Sequence, residues 1–224
     1  MADASSGVIF DVDGTLVDTN YLHVLAWSRA VHDAGETASM AEIHQLLGMG
    51  SDQLVERLLG RPNEEVADGH KAHFRKLTAE IRALPGARDL LSEVHRRGAQ
   101  VVLATSASEE QLEAMLDALA LPDGVVDHRT NKDDVEESKP APDIFVAAMR
   151  ESGLEPERCL VVGDTVWDVE AATECGLRVV GVLTGGIGGG ALERAGAIAV
   201  YQDVGDLLEH LDDSPLAELF DARG

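Results

Sequence analysis

Apolar residues in this chain fall into short runs separated by amphipathic stretches. The runs are Val8-Ile9-Phe10, Val101-Val102-Leu103, Val125-Val126, Cys159-Leu160-Val161-Val162, Val179-Val180-Gly181-Val182 and Ala197-Ile198-Ala199-Val200. They are near-continuous rather than alternating, which suits strands buried on both faces of a parallel sheet. Between them, Leu90, Leu91, Val94 and His95 recur at helical spacing, with Gly98 beyond them as a C-terminal cap. Leu112, Met115, Leu116 and Leu119 form a second stripe, and Glu109 and Glu110 stand in its first turn, where the helix dipole favours anions. Strand and helix in alternation predict an α/β fold with a doubly wound, mostly parallel sheet.

One stretch breaks this rhythm. From Asp18 to Leu84 there are helical stripes and no strand: Leu22, Leu25, Ala26 and Ala30, then Ile43, Leu46 and Leu47, then Leu54, Leu58 and Leu59. Leu84-Pro85-Gly86-Ala87 reads as a rigid turn back into the α/β pattern. The expected organisation is therefore an α/β core from residues 1–17 and 85–224, with an inserted all-helical cap at 18–84. Gly185-Gly186-Ile187-Gly188-Gly189-Gly190 lacks the Lys-Ser/Thr ending of a phosphate loop, and is read as a mobile surface loop.

Charge narrows the partners. The 224 residues carry 18 Lys and Arg against 41 Asp and Glu, a formal charge of −23. Such a surface repels nucleic acid and anionic lipid, whose binding needs clustered Lys and Arg. No apolar run approaches the roughly 20 residues of a bilayer span, and the first residues lack the basic and apolar regions of a signal peptide. Cys159 and Cys175 are too few and too far apart for a disulfide framework or a zinc knuckle, and read as free thiols in a reducing compartment. A cytoplasmic protein is expected, a monomer or weak dimer.

In parallel sheets ligands bind at the carboxyl ends of the strands, where strand order reverses. The first strand is followed by Asp11-Val12-Asp13-Gly14-Thr15, the second by Thr105 and Ser106, and the one at Cys159–Val162 by Gly163-Asp164-Thr165-Val166-Trp167-Asp168. Lys139, in Ser138-Lys139-Pro140-Ala141-Pro142-Asp143, precedes a helix. Four carboxylates, a hydroxyl and a lysine would then converge. Clustered acids cannot all stay ionised without a cation, and oxygen ligands without His or Cys favour a hard ion, Mg²⁺ beside phosphate. The set suits phosphoryl transfer, with one carboxylate attacking phosphorus and a second handling the proton. The plainer alternative is that these acids only cap helices.

In order and spacing these motifs resemble the haloacid dehalogenase superfamily. Asp11-Val12-Asp13-Gly14-Thr15-Leu16 is similar to its first motif, Thr105 to its second, Lys139 to its third and Gly163-Asp164…Asp168 to its fourth. The resemblance implies that Asp11 is the nucleophile that becomes an aspartyl phosphate, and that Asp13 is general acid and then general base. Thr105 and Lys139 would hold phosphoryl oxygens, with Gly14 and Ser106 beside them. Asp11, the Asp13 carbonyl and Asp164 would ligate Mg²⁺, with Asp168 in or next to that set. Dehalogenases lack the second acid of the first motif, so Asp13 points to phosphate chemistry.

Within the superfamily, Asp18-Thr19…His23…Trp27 resembles the cap entrance of β-phosphoglucomutase and of related sugar-phosphate phosphatases. His23 and Trp27 share a helix face and serve either substrate binding or hinge packing. Two departures weigh against a mutase. Gly48-Met49-Gly50-Ser51 has no arginine for a second phosphate, and Ser108 is followed by Glu109 instead of lysine. Arg57, Arg61, Lys71 and Arg75 are candidate substitutes in the cap, with solvated surface as the plainer alternative. The expected activity is a Mg²⁺-dependent phosphatase of a small phosphorylated metabolite, such as a sugar phosphate or a phosphoglycolate-like compound. A phosphosugar mutase is the alternative, and a receiver-type phospho-aspartate signalling module a third reading.

Overall fold

A computed structural model describes residues 5–220. The chain opens with β1 (Gly7–Phe10), then passes through α1 (Asn20–Asp33), α2 (Met40–Gln45), α3 (Ser51–Leu59) and α4 (Glu64–Phe74) before any further strand. It continues as α5 (Ala87–Arg96), β2 (Gln100–Ala104), α6 (Glu109–Leu119), β3 (His128–Thr130), α7 (Asp143–Ser152) and β4 (Cys159–Gly163). Next come α8 (Val166–Glu174), β5 (Arg178–Val182), α9 (Gly189–Ala195), β6 (Ala199–Tyr201) and α10 (Val204–Glu209), followed by two short 3₁₀ helices at Leu211–Asp213 and Pro215–Leu219.

The six strands form one parallel sheet in the order β3-β2-β1-β4-β5-β6. Side chains alternate across a strand, so the sheet builds two cores. Val8, Phe10, Val101, Leu103, Leu160 and Val162 pack with Leu90, Leu91, Leu112, Met115 and Leu207 of α5, α6 and α10. Ile9, Val102, Val161 and Val179 face the other way, against Ile144, Phe145, Val169 and Leu192 of α7, α8 and α9. Burial on both faces is why these strands read as continuous apolar runs. Helices start where the sequence can cap them: Ser39 with Glu42, Ser108 with Gln111 and Thr165 with Asp168 form reciprocal capping boxes.

Helices α1 to α4 hold their own apolar cluster, with Val24, Trp27, Val31, Ile43, Leu54, Val55 and Val66 at its centre. The chain enters and leaves this unit as a narrow neck, where Val17 bridges Ala83 and Asp18 N–H donates to the Arg82 carbonyl.

Three expectations need correction. The third strand is His128–Thr130, not Val125-Val126. It lies at the sheet edge and pairs only with β2, so it shows a polar alternation, while buried Val125 plugs the core from the preceding turn. His95 is exposed beside buried Leu91 and Val94. The glycine run is not a plain surface loop: Gly185 is buried against Asp164, and Gly189 opens α9.

Candidate active site

Strand order reverses between β1 and β4, and the register sets their carboxyl ends level: Phe10 lies beside Leu103 on one side and Val162 on the other. Asp11, Thr105 and Asp164 therefore leave the sheet within a residue of one another, at the switch point of a doubly wound fold. Asp11 N–H still donates to the Val162 carbonyl (2.9 Å), which fixes its backbone to the neighbouring strand.

Lys139 is the hub. Its Nζ lies 2.5 Å from Asp11 Oδ1 and 2.7 Å from Asp168 Oδ1, with the side chain 1% exposed. Burial works against its charge, but Asp11 and Asp168 hold its pKa above the ordinary value. Asp164 accepts from Thr15 Oγ1 at 2.9 Å and from Asn20 Nδ2 at 3.3 Å. Asp168 caps α8 through Thr165, accepting from its backbone N–H at 3.0 Å and its Oγ1 at 2.6 Å.

Oxygens of Asp11, Asp164 and Asp168 all lie within 4.8 Å of one another. Three buried carboxylates face one ammonium. Burial pushes the Asp11 carboxyl well up, and Asp168, Asp164 and Asp13 add to the rise that Lys139 opposes. Burial and then Asp168 push Asp164 up to about 7. The cluster is short of positive charge, and an all-oxygen donor set of this kind fits a hard divalent cation.

Asp13 stands apart from these acids. Thr19 Oγ1 donates to its Oδ1 at 2.9 Å and Thr105 Oγ1 to its Oδ2 at 3.1 Å, while His23 Nε2 lies 2.9 Å from Oδ1. Burial alone would raise the Asp13 carboxyl, but His23, Thr19 and Thr105 outweigh it and hold the group below the usual carboxylate range. Thr19 gives up its hydroxyl as helix cap to do this, since it stands at the N-cap of α1 without a capping bond. A cap bond is worth about 1 kcal/mol. Gly14 makes the turn directly after Asp13 at φ 74°, and a Cβ there would lie 2.4 Å from both Asn20 and Asp164.

His23 is anchored from behind. Its Nδ1 lies 3.0 Å from His70 Nε2, and its ring stacks on Phe74 at 4.0 Å. Burial, with His23 beside it, pushes the His70 imidazole well below its ordinary pKa, so His70 stays neutral. Trp27 stacks on His70 at 3.9 Å and is buried. Trp27 thus packs in the helical cluster and also lines the cavity that opens between α1 to α4 and the sheet.

That cavity encloses about 80 Å³. Asp11, Asp13, Thr105 and Ser106 are among its lining residues, and Ser106 Oγ is buried without a partner. Ser51, Lys71, Ser108, Gln111 and Lys132 line it as well. Of the four cations marked in the helical segment, Lys71 reaches the cavity. Arg57 lies over Trp167 (5.3 Å), Arg61 pairs with Glu36, and Arg75 pairs with Glu110 (2.7 Å). Glu109 turns to Asn131 and Arg129. Asn20, His70, Thr15 and Lys132 escaped the sequence reading. Asn20 follows Thr19 directly and Thr15 lies inside the first motif, whereas nothing in the sequence ties His70 or Lys132 to residues more than forty positions away.

A doubly wound parallel sheet that gathers buried carboxylates, a lysine and hydroxyls at its switch point defines an α/β enzyme built for chemistry on a charged group. More narrowly, the chain belongs to the haloacid dehalogenase-like hydrolase family, whose model matches residues 6–176. It is similar to a hydrolase from Pseudomonas syringae of known structure, with 37% identity, a TM-score of 0.88, and 93% of this chain and 99% of that one covered. It is also similar to protein CbbY of Cereibacter sphaeroides, at 31% identity over 77% of this chain and 82% of that protein. The phosphorylated carbohydrates phosphatase of Thermotoga maritima is 30% identical over 87% of this chain and 93% of its own length. No helix among the described residues is long and apolar enough to cross a membrane.

Proposed function

We propose that this hydrolase is a Mg²⁺-dependent phosphatase that removes the phosphoryl group of a small phosphorylated metabolite through an aspartyl phosphate on Asp11. The observation that carries the reading is the pairing of a buried acid, Asp11, with a half-buried one, Asp13, in opposite states. Asp11 lies in a charge-poor cluster with Lys139, Asp164 and Asp168, and Asp13 is held ionised by its own hydrogen bonds. Acids pushed apart in this way take nucleophile and proton-transfer roles.

The metal would be held by Asp11 and Asp164, with the Asp13 carbonyl and with Asp168 in or beside the set. When bound, it supplies the positive charge that keeps Asp11 ionised and neutralises the phosphoryl oxygens. The chain's own residues do the rest. The Asp11 carboxylate attacks phosphorus and the ester P–O bond breaks. Asp13 gives its proton to the leaving oxygen. A phosphate dianion beside Asp13 raises its pKa, because like charges oppose ionisation, and so puts that proton in place. Asp13 then takes a proton from water, whose oxygen attacks phosphorus, and the P–O bond to Asp11 breaks to release phosphate. Lys139 orients Asp11 and offsets its charge, while Thr105, Ser106 and the turn at Gly14 border the phosphoryl position.

In this reading residues 18–84 are a cap that closes the cavity over the core formed by 1–17 and 85–224, with Thr19, His23 and Trp27 at the hinge. Phosphoryl transfer within a phosphosugar is a second reading. It gains from Lys71 and Lys132, since a mutase must hold phosphate at both ends of its site. Purified protein is tested against a panel of phosphorylated metabolites with Mg²⁺ and with EDTA, following both inorganic phosphate and isomerised sugar phosphate. Metal-dependent phosphate release supports the phosphatase. Isomerisation faster than release replaces it with the mutase, and no turnover of any phosphomonoester overturns both.

A further inference from the structure

We propose that His44 is a positioning residue for Asp164. It holds the turn Leu183–Gly185 against that carboxylate, so that docking of the helical unit on the sheet and binding of a divalent cation by the acid cluster strengthen each other. This rests on the metal reading given above and adds a residue of the helical unit to it. The glycine run after β5 makes the link. Gly185 is so close to Asp164 that a Cβ would lie 2.3 Å from its Oδ2 and 2.7 Å from its carbonyl oxygen. Gly186, in the left-handed region at φ 73°, meets His44 instead, and a Cβ there would lie 2.8 Å from His44 Cε1. Between the acid and the imidazole the chain is therefore bare backbone. Packing this close passes a shift of one side to the other.

Hydrogen bonds clamp the same turn from the helical unit. His44 Nε2, from α2, lies 2.8 Å from the Gly185 carbonyl. A carbonyl oxygen only accepts, so Nε2 carries the hydrogen and donates it. Asn20, the first residue of α1, donates through Nδ2 to Asp164 Oδ2 at 3.3 Å and to the Thr184 carbonyl at 3.4 Å. The consecutive carbonyls of Thr184 and Gly185 thus both accept from the helical unit. The Tyr21 ring stands 5.4 Å from that of His44, so α1 and α2 approach the turn together.

The core's own hold on the Asp164 carboxylate is Thr15 Oγ1, 2.9 Å from Oδ1. Its Oδ2 side is set by Asn20 and by the turn. Lifting the helical unit away would remove Asn20 and His44 together, and would free Asp164 to turn out of the set it forms with Asp11 and Asp168. Partners that orient a metal-binding side chain are worth roughly ten- to a hundredfold in affinity. His44 acts one step further out, through the turn, and its share is about fivefold, the equilibrium worth of one hydrogen bond. Linkage is reciprocal: the factor that docking adds to cation affinity is the factor that the cation adds to docking.

Mg²⁺ binding to the full chain is measured by calorimetry for the wild type, His44→Leu and His44→Gln. Docking is read by hydrogen exchange at the Gly50 amide, which donates from the helical unit to the Lys139 carbonyl at 3.1 Å and exchanges when that contact opens. In the wild type Mg²⁺ should slow this exchange. His44→Leu should bind Mg²⁺ about fivefold more weakly and lose most of the slowing. Glutamine can place an amide N–H where the imidazole places Nε2, so His44→Gln should stay near the wild type in both readings. Unchanged affinity in His44→Leu overturns the proposal. So does an equal loss in the leucine and glutamine variants, which would assign His44 to packing against Tyr21. If the wild type binds no Mg²⁺, the metal reading falls and the coupling with it. If it binds Mg²⁺ with no effect on Gly50 exchange, the coupling alone falls.

Discussion

Without metal, Asp164 should make this protein less stable as pH rises, and a divalent cation should remove the effect. Its carboxyl is fully buried and pushed from 3.8 up to about 7 by burial and by Asp168. The folded chain therefore holds a proton that the unfolded chain releases, so stability is present below the unfolded value and is lost as pH climbs through the folded one. A shift of about three pKa units corresponds to about 4 kcal/mol across the whole range, and about 3 kcal/mol of it falls between about pH 5 and pH 8. For a chain of this size that is a drop in Tm of roughly 6–12 °C. The assay is thermal unfolding by circular dichroism in EDTA across that range, repeated with Mg²⁺ and with Asp164→Asn. General repulsion in a chain of charge −23 also lowers stability at high pH, so the decisive quantity is the difference in slope between wild type and Asp164→Asn. The wild type should lose more than the variant in EDTA, and Mg²⁺ should flatten its curve by binding only the folded state. Equal slopes for the two proteins, or a wild-type curve that Mg²⁺ leaves unchanged, would refute the view that these acids form a site short of positive charge.

Lys139→Met should destabilise the fold by about 3–5 kcal/mol, because it strands Asp11 and Asp168 as buried carboxylates without their cation; chemical denaturation with linear extrapolation reads this, and a loss within error of zero would contradict the pairing. Asp13→Asn should slow both half-reactions, with the phosphorylation defect smaller for aryl phosphates, whose leaving oxygen needs little proton, than for alkyl phosphates. Equal single-turnover defects for the two classes would remove Asp13 from that role. Asn20→Ala should weaken Mg²⁺ affinity measured by calorimetry about tenfold, the low end of the range for losing a partner of a metal-binding side chain, since Asn20 Nδ2 donates to Asp164.

Much of this was legible in the chain itself, for reasons that particular residues make plain. Val8–Phe10 and Cys159–Val162 are central strands buried on both faces, and such strands announce themselves as unbroken apolar runs. The edge strand His128–Thr130 could not do so, because half of it meets solvent. The motif acids were visible because each follows a strand end, so knowing the sheet was enough to gather them. The contact of Lys132 with Ser51 was not. Lys132 and Ser51 meet only after the helical unit folds across the core, and no local pattern encodes that distance. His70 was hidden for the same reason: its partners His23 and Trp27 lie on another helix. Gly185 looked like backbone freedom, whereas it serves close approach, since a Cβ there would meet Asp164 at 2.3 Å.

The central claim is that Asp11 carries the phosphoryl group during turnover, and trapping that intermediate tests it most directly. The protein is mixed with Mg²⁺ and a substrate identified by the phosphate-release panel, quenched in acid within a turnover and reduced with borohydride, which converts an aspartyl phosphate to homoserine. Peptide mass mapping then reads which carboxylate was occupied. The account predicts substrate-dependent conversion at position 11, increased in Asp13→Asn when the substrate is an aryl phosphate and absent in Asp11→Asn. Conversion at another aspartate, or phosphate release by Asp11→Asn at more than a few per cent of the wild-type rate after checking for deamidation, would contradict it.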